Sequence, residues 1–144
     1  MIHMGKNREP PSIVKGVMSK PVTTVSKDHS VHKTVKTMSK KSIGCVVVMD
    51  EGKPVGMATE RDILQRVVAE SRNPSEVKME EIMSKPLITI NANMPIVEAI
   101  RVMQKNNVRH LPIMEGGELI GIVTQRDLLR ALALHVIISF RPLL

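Results

Sequence analysis

The spacing of apolar residues switches between two periods along the chain, and the whole succession occurs twice. Residues 12–18 read as a short helical turn, and the β-branched run after Pro21, within 19–25, predicts a strand. Asp28 is the expected N-cap of a helix over 29–40, whose Val31, Val35 and Met38 fall at i, i+4 and i+7. Residues 43–49 form a valine-rich apolar run too short for a typical helix, which predicts a buried strand. Asp50-Glu51-Gly52-Lys53 then predicts a hairpin turn, 54–58 the returning strand, and Thr59 the cap of a helix reaching about Ser71. The order is β, α, β, β, α.

Asn73-Pro74 interrupts the pattern, and it restarts. Residues 77–83 predict another short turn, 84–90 answer 19–25, and Asn93 stands where Asp28 stood. Ile96, Ile100 and Met103 replace Val31, Val35 and Met38, and 108–114 answer 43–49. Residues 18–64 align with 83–129 without a gap, with 14 of the 47 positions identical, so the two halves are copies of one unit. The boundaries follow: a flexible leader 1–11, repeat 12–72, linker 73–76, repeat 77–132 and a tail 133–144. An α+β fold with a pseudo-twofold axis relating the repeats is expected.

Composition narrows the chemistry. Phe140 is the only aromatic residue, which removes the stacking platforms used to bind single-stranded nucleic acid. Cys45 is the only cysteine, so no internal disulfide and no Cys-x-x-Cys metal site can form, as expected of a reducing, cytoplasmic setting. The leader has no apolar core of a signal peptide, and Arg130 and His135 break the apolar run 128–140 well short of the roughly 20 residues a membrane span needs. A soluble protein without membrane contact is expected. The net charge of +7 and pI near 9.9 are the one compositional pointer to a polyanionic partner.

Phosphate-loop, dinucleotide-fingerprint, metalloprotease and nucleophile-elbow patterns are all lacking, and no catalytic activity is expected. His29 and His32 stand three apart on one helix, but no carboxylate partner accompanies them, so no metal site is predicted. Cys45 lies within an apolar strand and reads as a small buried hydrophobe. What recurs is Gly-x-x-Thr-x-Arg-Asp, at 56–62 and at 121–127. Gly56 and Gly121 would admit a ligand or another backbone close to the strand. Thr59 and Thr124 would open helices whose free N–H groups suit a phosphate. Asp62 and Asp127 could accept hydrogen bonds from ribose hydroxyls, and Arg61 and Arg126 add charge beside them. The same Thr and Asp are also an ordinary capping box, and the local residues leave both roles open.

The doubled Met-Ser-Lys-Pro openings, the hairpins and the paired Gly-x-x-Thr-x-Arg-Asp endings resemble the cystathionine-β-synthase (CBS) domain family, over about residues 12–132. The pair is similar to its usual tandem unit, the Bateman module. That resemblance implies a regulatory protein binding AMP, ADP, ATP or S-adenosylmethionine in clefts between the repeats, with no other cofactor, and hence a role such as energy sensing. It gives Asp62 and Asp127 the ribose, and Thr59 and Thr124 the phosphate. Val22, Thr23, Leu87 and Ile88 would line the adenine pocket, completed by Gly44 and Cys45 in one copy and Arg109 and His110 in the other. Each site would combine the Thr and Asp of one repeat with strand residues of the other, so the one holding Thr59, Asp62, Arg109 and His110 is the stronger expected phosphate site.

A homodimer acting on an unknown effector protein is the expected assembly, with the apolar run 131–140 packing on the module or on a second subunit. Lys33, Lys36 and Lys40 share one face of the first helix, flanked by Lys27 and Lys41. This leaves a nucleic-acid-binding protein as an alternative, alongside a plain dimerisation scaffold.

Overall fold

The computed structural model describes residues 10–140. The leader, apart from Pro10 and Pro11, and the last four residues of the tail lie outside the described residues. The chain forms two compact units, one of residues 21–89 and the other of 90–144 together with 1–20.

In the 21–89 unit, β1 (Thr24–Ser26) pairs in parallel with β2 (Cys45–Asp50), which pairs antiparallel with β3 (Lys53–Thr59). The hairpin turns at Glu51 and Gly52, both at positive φ. Helix α1 (Val31–Lys41) connects β1 to β2, as a parallel pair requires. The other unit repeats this arrangement with β4 (Ile90–Asn91), α4 (Ile96–Asn106), β5 (His110–Glu115), β6 (Glu118–Thr124) and α5 (Gln125–Ser139). The α+β class and the order of elements are as the sequence predicts.

The first strands are shorter than expected because Pro21 and Pro86 donate no backbone hydrogen bond and cannot enter a ladder. Only Ser19 and Ser84 pair ahead of them, as isolated bridges. The cap of α1 is Ser30, not Asp28: its hydroxyl accepts the Lys33 N–H at 3.1 Å, while the Asp28 N–H is held by Ser26 Oγ. Pro95 precedes α4 with no side-chain cap, so Asn93 does not cap either; its N–H bonds Asn91 Oδ1 in the turn before. Val35 is 37% exposed rather than part of the core, and Thr34 takes the buried place, its hydroxyl bonded to the Ser30 carbonyl. The helix after Thr59 is not uniform: α2 (Glu60–Ile63) runs into a π turn over Leu64–Val68.

Each unit is completed by a segment that the sequence repeat assigns elsewhere. Residues 77–84, including α3 (Met79–Ile82), close the 21–89 unit: Met79 N–H donates to the His29 carbonyl, Glu80 N–H to that of Lys27, and Ser84 and Met57 exchange hydrogen bonds. Glu81 fixes the start of α3 by accepting the Lys78 N–H, which holds its carboxyl below the usual range. Val77, Met79 and Ile82 join Val25, Val31, Met38, Val46, Val48 and Val67 in one core. Residues 12–19 do the same for the other unit, Val14 N–H donating to Met94, Lys15 N–H to Ala92, and Ser19 pairing with Ile122. The tail is also more ordered than its label suggests, since α5 continues to Ser139 and His135 Nε2 donates to the Pro11 carbonyl at 2.7 Å.

Candidate functional site

Both recurrent Thr–Asp pairs form capping boxes. Thr59 N–H donates to Asp62 Oδ2 at 2.9 Å, and Asp62 N–H donates back to the Thr59 hydroxyl at 3.3 Å. Thr124 and Asp127 repeat this at 2.9 and 3.1 Å. The second carboxylate oxygens differ. Asp62 Oδ1 accepts from Ser84 Oγ at 3.4 Å and lies 3.7 Å from the Arg66 guanidinium, whereas the other oxygen of Asp127 has no hydrogen bond among the described residues. Alanine at 131, the position matching Arg66, accounts for part of this difference.

The hairpin register places the predicted strand residues beside these caps. Cys45 pairs with Thr59, and Glu60 N–H donates to the Gly44 carbonyl. Likewise His110 pairs with Thr124, and Gln125 N–H donates to the Arg109 carbonyl. Thr23 immediately precedes β1, its carbonyl accepting the Val47 N–H, so Val22 and Thr23 approach the same end of the sheet as Gly44, Cys45, Thr59 and Asp62. Arg109, His110, Thr124 and Asp127 form the matching group in the other unit. Leu87 and Ile88 are half-buried on the stretch leading to β4, and Arg61 and Arg126 are exposed one position before their Asp.

Gly56 and Gly121 make room for the protein itself. A Cβ on Gly56 would lie 2.9 Å from Met83 Cγ, and one on Gly121 2.9 Å from Met18 Cγ. Of the two neighbours the sequence allows, another segment of the chain occupies the place.

Cys45 is half-buried, and burial, reinforced by the Glu60 carboxylate, pushes its thiol up to about 11. The native protein near neutral pH should therefore react with iodoacetamide on the order of a hundredfold more slowly than an ordinary thiol, with the denatured chain as the reference. Equal rates would place the thiol in solvent.

Sequence periodicity did not reveal an open groove of about 420 Å³ in the 21–89 unit, lined by Val35, Met38, Ile43, Ile63, Leu64 and Glu60 among others. None of the predicted nucleotide contacts lines it. In the other unit α5 packs along α4, and Leu128, the counterpart of Ile63, is fully buried. The π turn after α2, absent from the regular α5, is the local irregularity accompanying the groove.

The CBS domain family model matches residues 14–69 and again 79–134. The chain belongs to the CBS-domain family. It is 39% identical over 116 residues to an uncharacterised protein of Methanopyrus kandleri, the match covering 79% of this chain and 59% of that longer protein. A CBS domain-containing protein of Bacillus subtilis, YhcV, is 34% identical over 117 residues, covering 81% of this chain and 83% of the other. The crystal structure of an uncharacterised conserved protein from Pyrococcus horikoshii superposes with a TM-score of 0.78 at 34% identity, over 86% of this chain and 94% of that one. The chain is thus a tandem CBS pair, a class of module that generally binds regulatory ligands and is typically not catalytic. No helix among the described residues is long and apolar enough to cross a membrane, and no three His, Cys, Asp or Glu among them cluster as metal ligands.

Proposed function

We propose that this CBS pair senses an adenosine-containing nucleotide, AMP, ADP, ATP or S-adenosylmethionine, and passes its binding on to a partner protein. The observation carrying this reading is the repeated cap: each Thr–Asp box presents a helix start beside the strand end that holds Gly44 and Cys45, or Arg109 and His110. The helix start suits phosphate, and the carboxylate oxygen left over from the cap suits a ribose hydroxyl. Asp127, whose second oxygen is uncommitted among the described residues, is the readier ribose acceptor. At the other copy, a ligand competes with Ser84 and Arg66 for Asp62. CBS proteins often oligomerise, and the exposed Leu129, Leu132, Val136 and Phe140 along one side of the last helix support a homodimer here.

A thermal-shift panel of the four ligands tests the reading. At 100 times its dissociation constant a specific ligand should add about 2.7 kcal/mol. Asp62→Ala and Asp127→Ala should each cost the unliganded protein about 1 kcal/mol through the lost cap, and should also remove that copy's share of the ligand shift. Caps alone are in play if the variants lose stability but keep the shift, or if no ligand shifts the parent.

A further inference from the structure

Helix α1 departs from its copy α4 at Lys33 and Lys41, where α4 carries Glu98 and Asn106, while Lys36 and Lys40 answer Arg101 and Lys105. Lys33, Lys36, Lys40 and Lys41 are all exposed, and α1 has no acidic residue in its first turn. The α4 residue matching Lys33 is Glu98, in the first turn, where a carboxylate complements the helix dipole. A lysine there opposes it. Lys33 and Lys36 stand at i, i+3, and Lys36 and Lys40 at i, i+4, so neighbouring charges along the row repel and weaken the helix. Lys40 and Lys41, in the last turn, complement the dipole, but Lys33 and Lys36 have no such local reason.

Nor do these lysines hold the fold together. Among the described residues, Lys15, Lys27, Arg66 and Arg72 pair with carboxylates, whereas none of the four α1 lysines does. Lys27 is neutralised from two sides, by Asp50 and Glu80, and contributes little to the field of the row.

We propose that the exposed lysine face of α1 docks, without regard to sequence, on the phosphate backbone of a double-stranded nucleic acid. The row from Lys33 to Lys40 spans about 10 Å at 1.5 Å per residue, the axial length of about three phosphates on one strand. Its members are lysines, point charges that contact phosphate oxygens without reading a base, as docking without regard to sequence requires. No Phe, Tyr or Trp lies on the helix to stack an unpaired base, which favours a duplex over a single strand. This surface uses none of the residues assigned to the nucleotide.

The test is fluorescence anisotropy of a labelled random-sequence duplex of about 20 base pairs, from about 50 to 200 mM salt. With four lysines engaged, the logarithm of affinity should fall against that of salt with a slope of about −3 to −4. Lys33→Glu with Lys36→Glu should lower affinity about tenfold or more at the lowest salt. Arg101→Glu with Lys105→Glu, which changes the net charge of the chain equally on α4, should lower it much less. Lys33→Glu installs the residue α4 already carries at that position, so α1 should remain folded, and circular dichroism checks this. Absence of duplex binding by the parent, equal losses from the two pairs of substitutions, or displacement of the duplex by poly-L-glutamate more readily than by unlabelled duplex of equal charge would each overturn the proposal.

Discussion

Met79→Ala should lower the unfolding free energy by about 2–5 kcal/mol, the range for truncating a fully buried methionine. Met79 is completely excluded from solvent and lies on α3, at the start of the second sequence repeat, in the stretch that leads from one unit to the next. If that segment were only a connector, the substitution would cost a few tenths of a kcal/mol, as at an ordinary surface position. Instead its side chain fills the core that Val31, Val46 and Val67 build, and its N–H donates to the His29 carbonyl, so removing three heavy atoms leaves a cavity among elements held in place by backbone hydrogen bonds. Urea unfolding reads the change directly, and a midpoint shift at unchanged slope assigns it to the native packing.

The second large effect concerns the glycines of the repeated sequence. Gly56→Ala and Gly121→Ala should each destabilise by about 1–3 kcal/mol through overpacking, although both sit in strands where alanine is ordinarily harmless. The two should differ in their rescue. At Gly121 the nearest atoms to an added Cβ all belong to the Met18 side chain, so Met18→Ala should recover much of the loss. At Gly56 the Ser84 carbonyl oxygen stands 3.0 Å away besides Met83, and trimming Met83 cannot move a backbone that exchanges two hydrogen bonds with Met57. A double-mutant cycle for each pair should therefore show strong coupling at 18/121 and weaker coupling at 56/83. Additive losses in both cycles would mean that the glycines do not serve to admit the methionines.

Much of this fold is readable in the amino-acid order because its devices are local. The two hairpins need only a turn between apolar runs, and the capping boxes need only Thr and Asp three apart, so both appear where expected. The start of α1 was less legible because Asp28 and Ser30 are both competent caps, and the choice is made by Val77, whose carbonyl takes the Val31 N–H. The packing of 12–19 and 77–84 was not legible at all. Met18 and Met83 are equivalent, as are Gly56 and Gly121, so either segment chemically fits either strand and only the folded chain decides between them. For the candidate site, register explains why Cys45 and Thr59 meet, and His110 and Thr124, while the different loads on Asp62 and Asp127 come from Arg66, replaced by Ala131 in the other copy, and from Ser84, whose hydroxyl bonds Asp62 as its counterpart Ser19 does not bond Asp127.

The exchanged segments also set an order of assembly on the ribosome. The 21–89 unit has all its parts once residue 84 has emerged, whereas the other unit must keep its first piece, residues 12–19, waiting until β6 supplies Ile122 and the Gly121 gap. Residues 12–19 are thus made before the rest of their unit and are among the last of its parts to find their place. Until then Val14, Val17 and Met18 remain unsatisfied apolar positions beside a 21–89 unit that can already be folded.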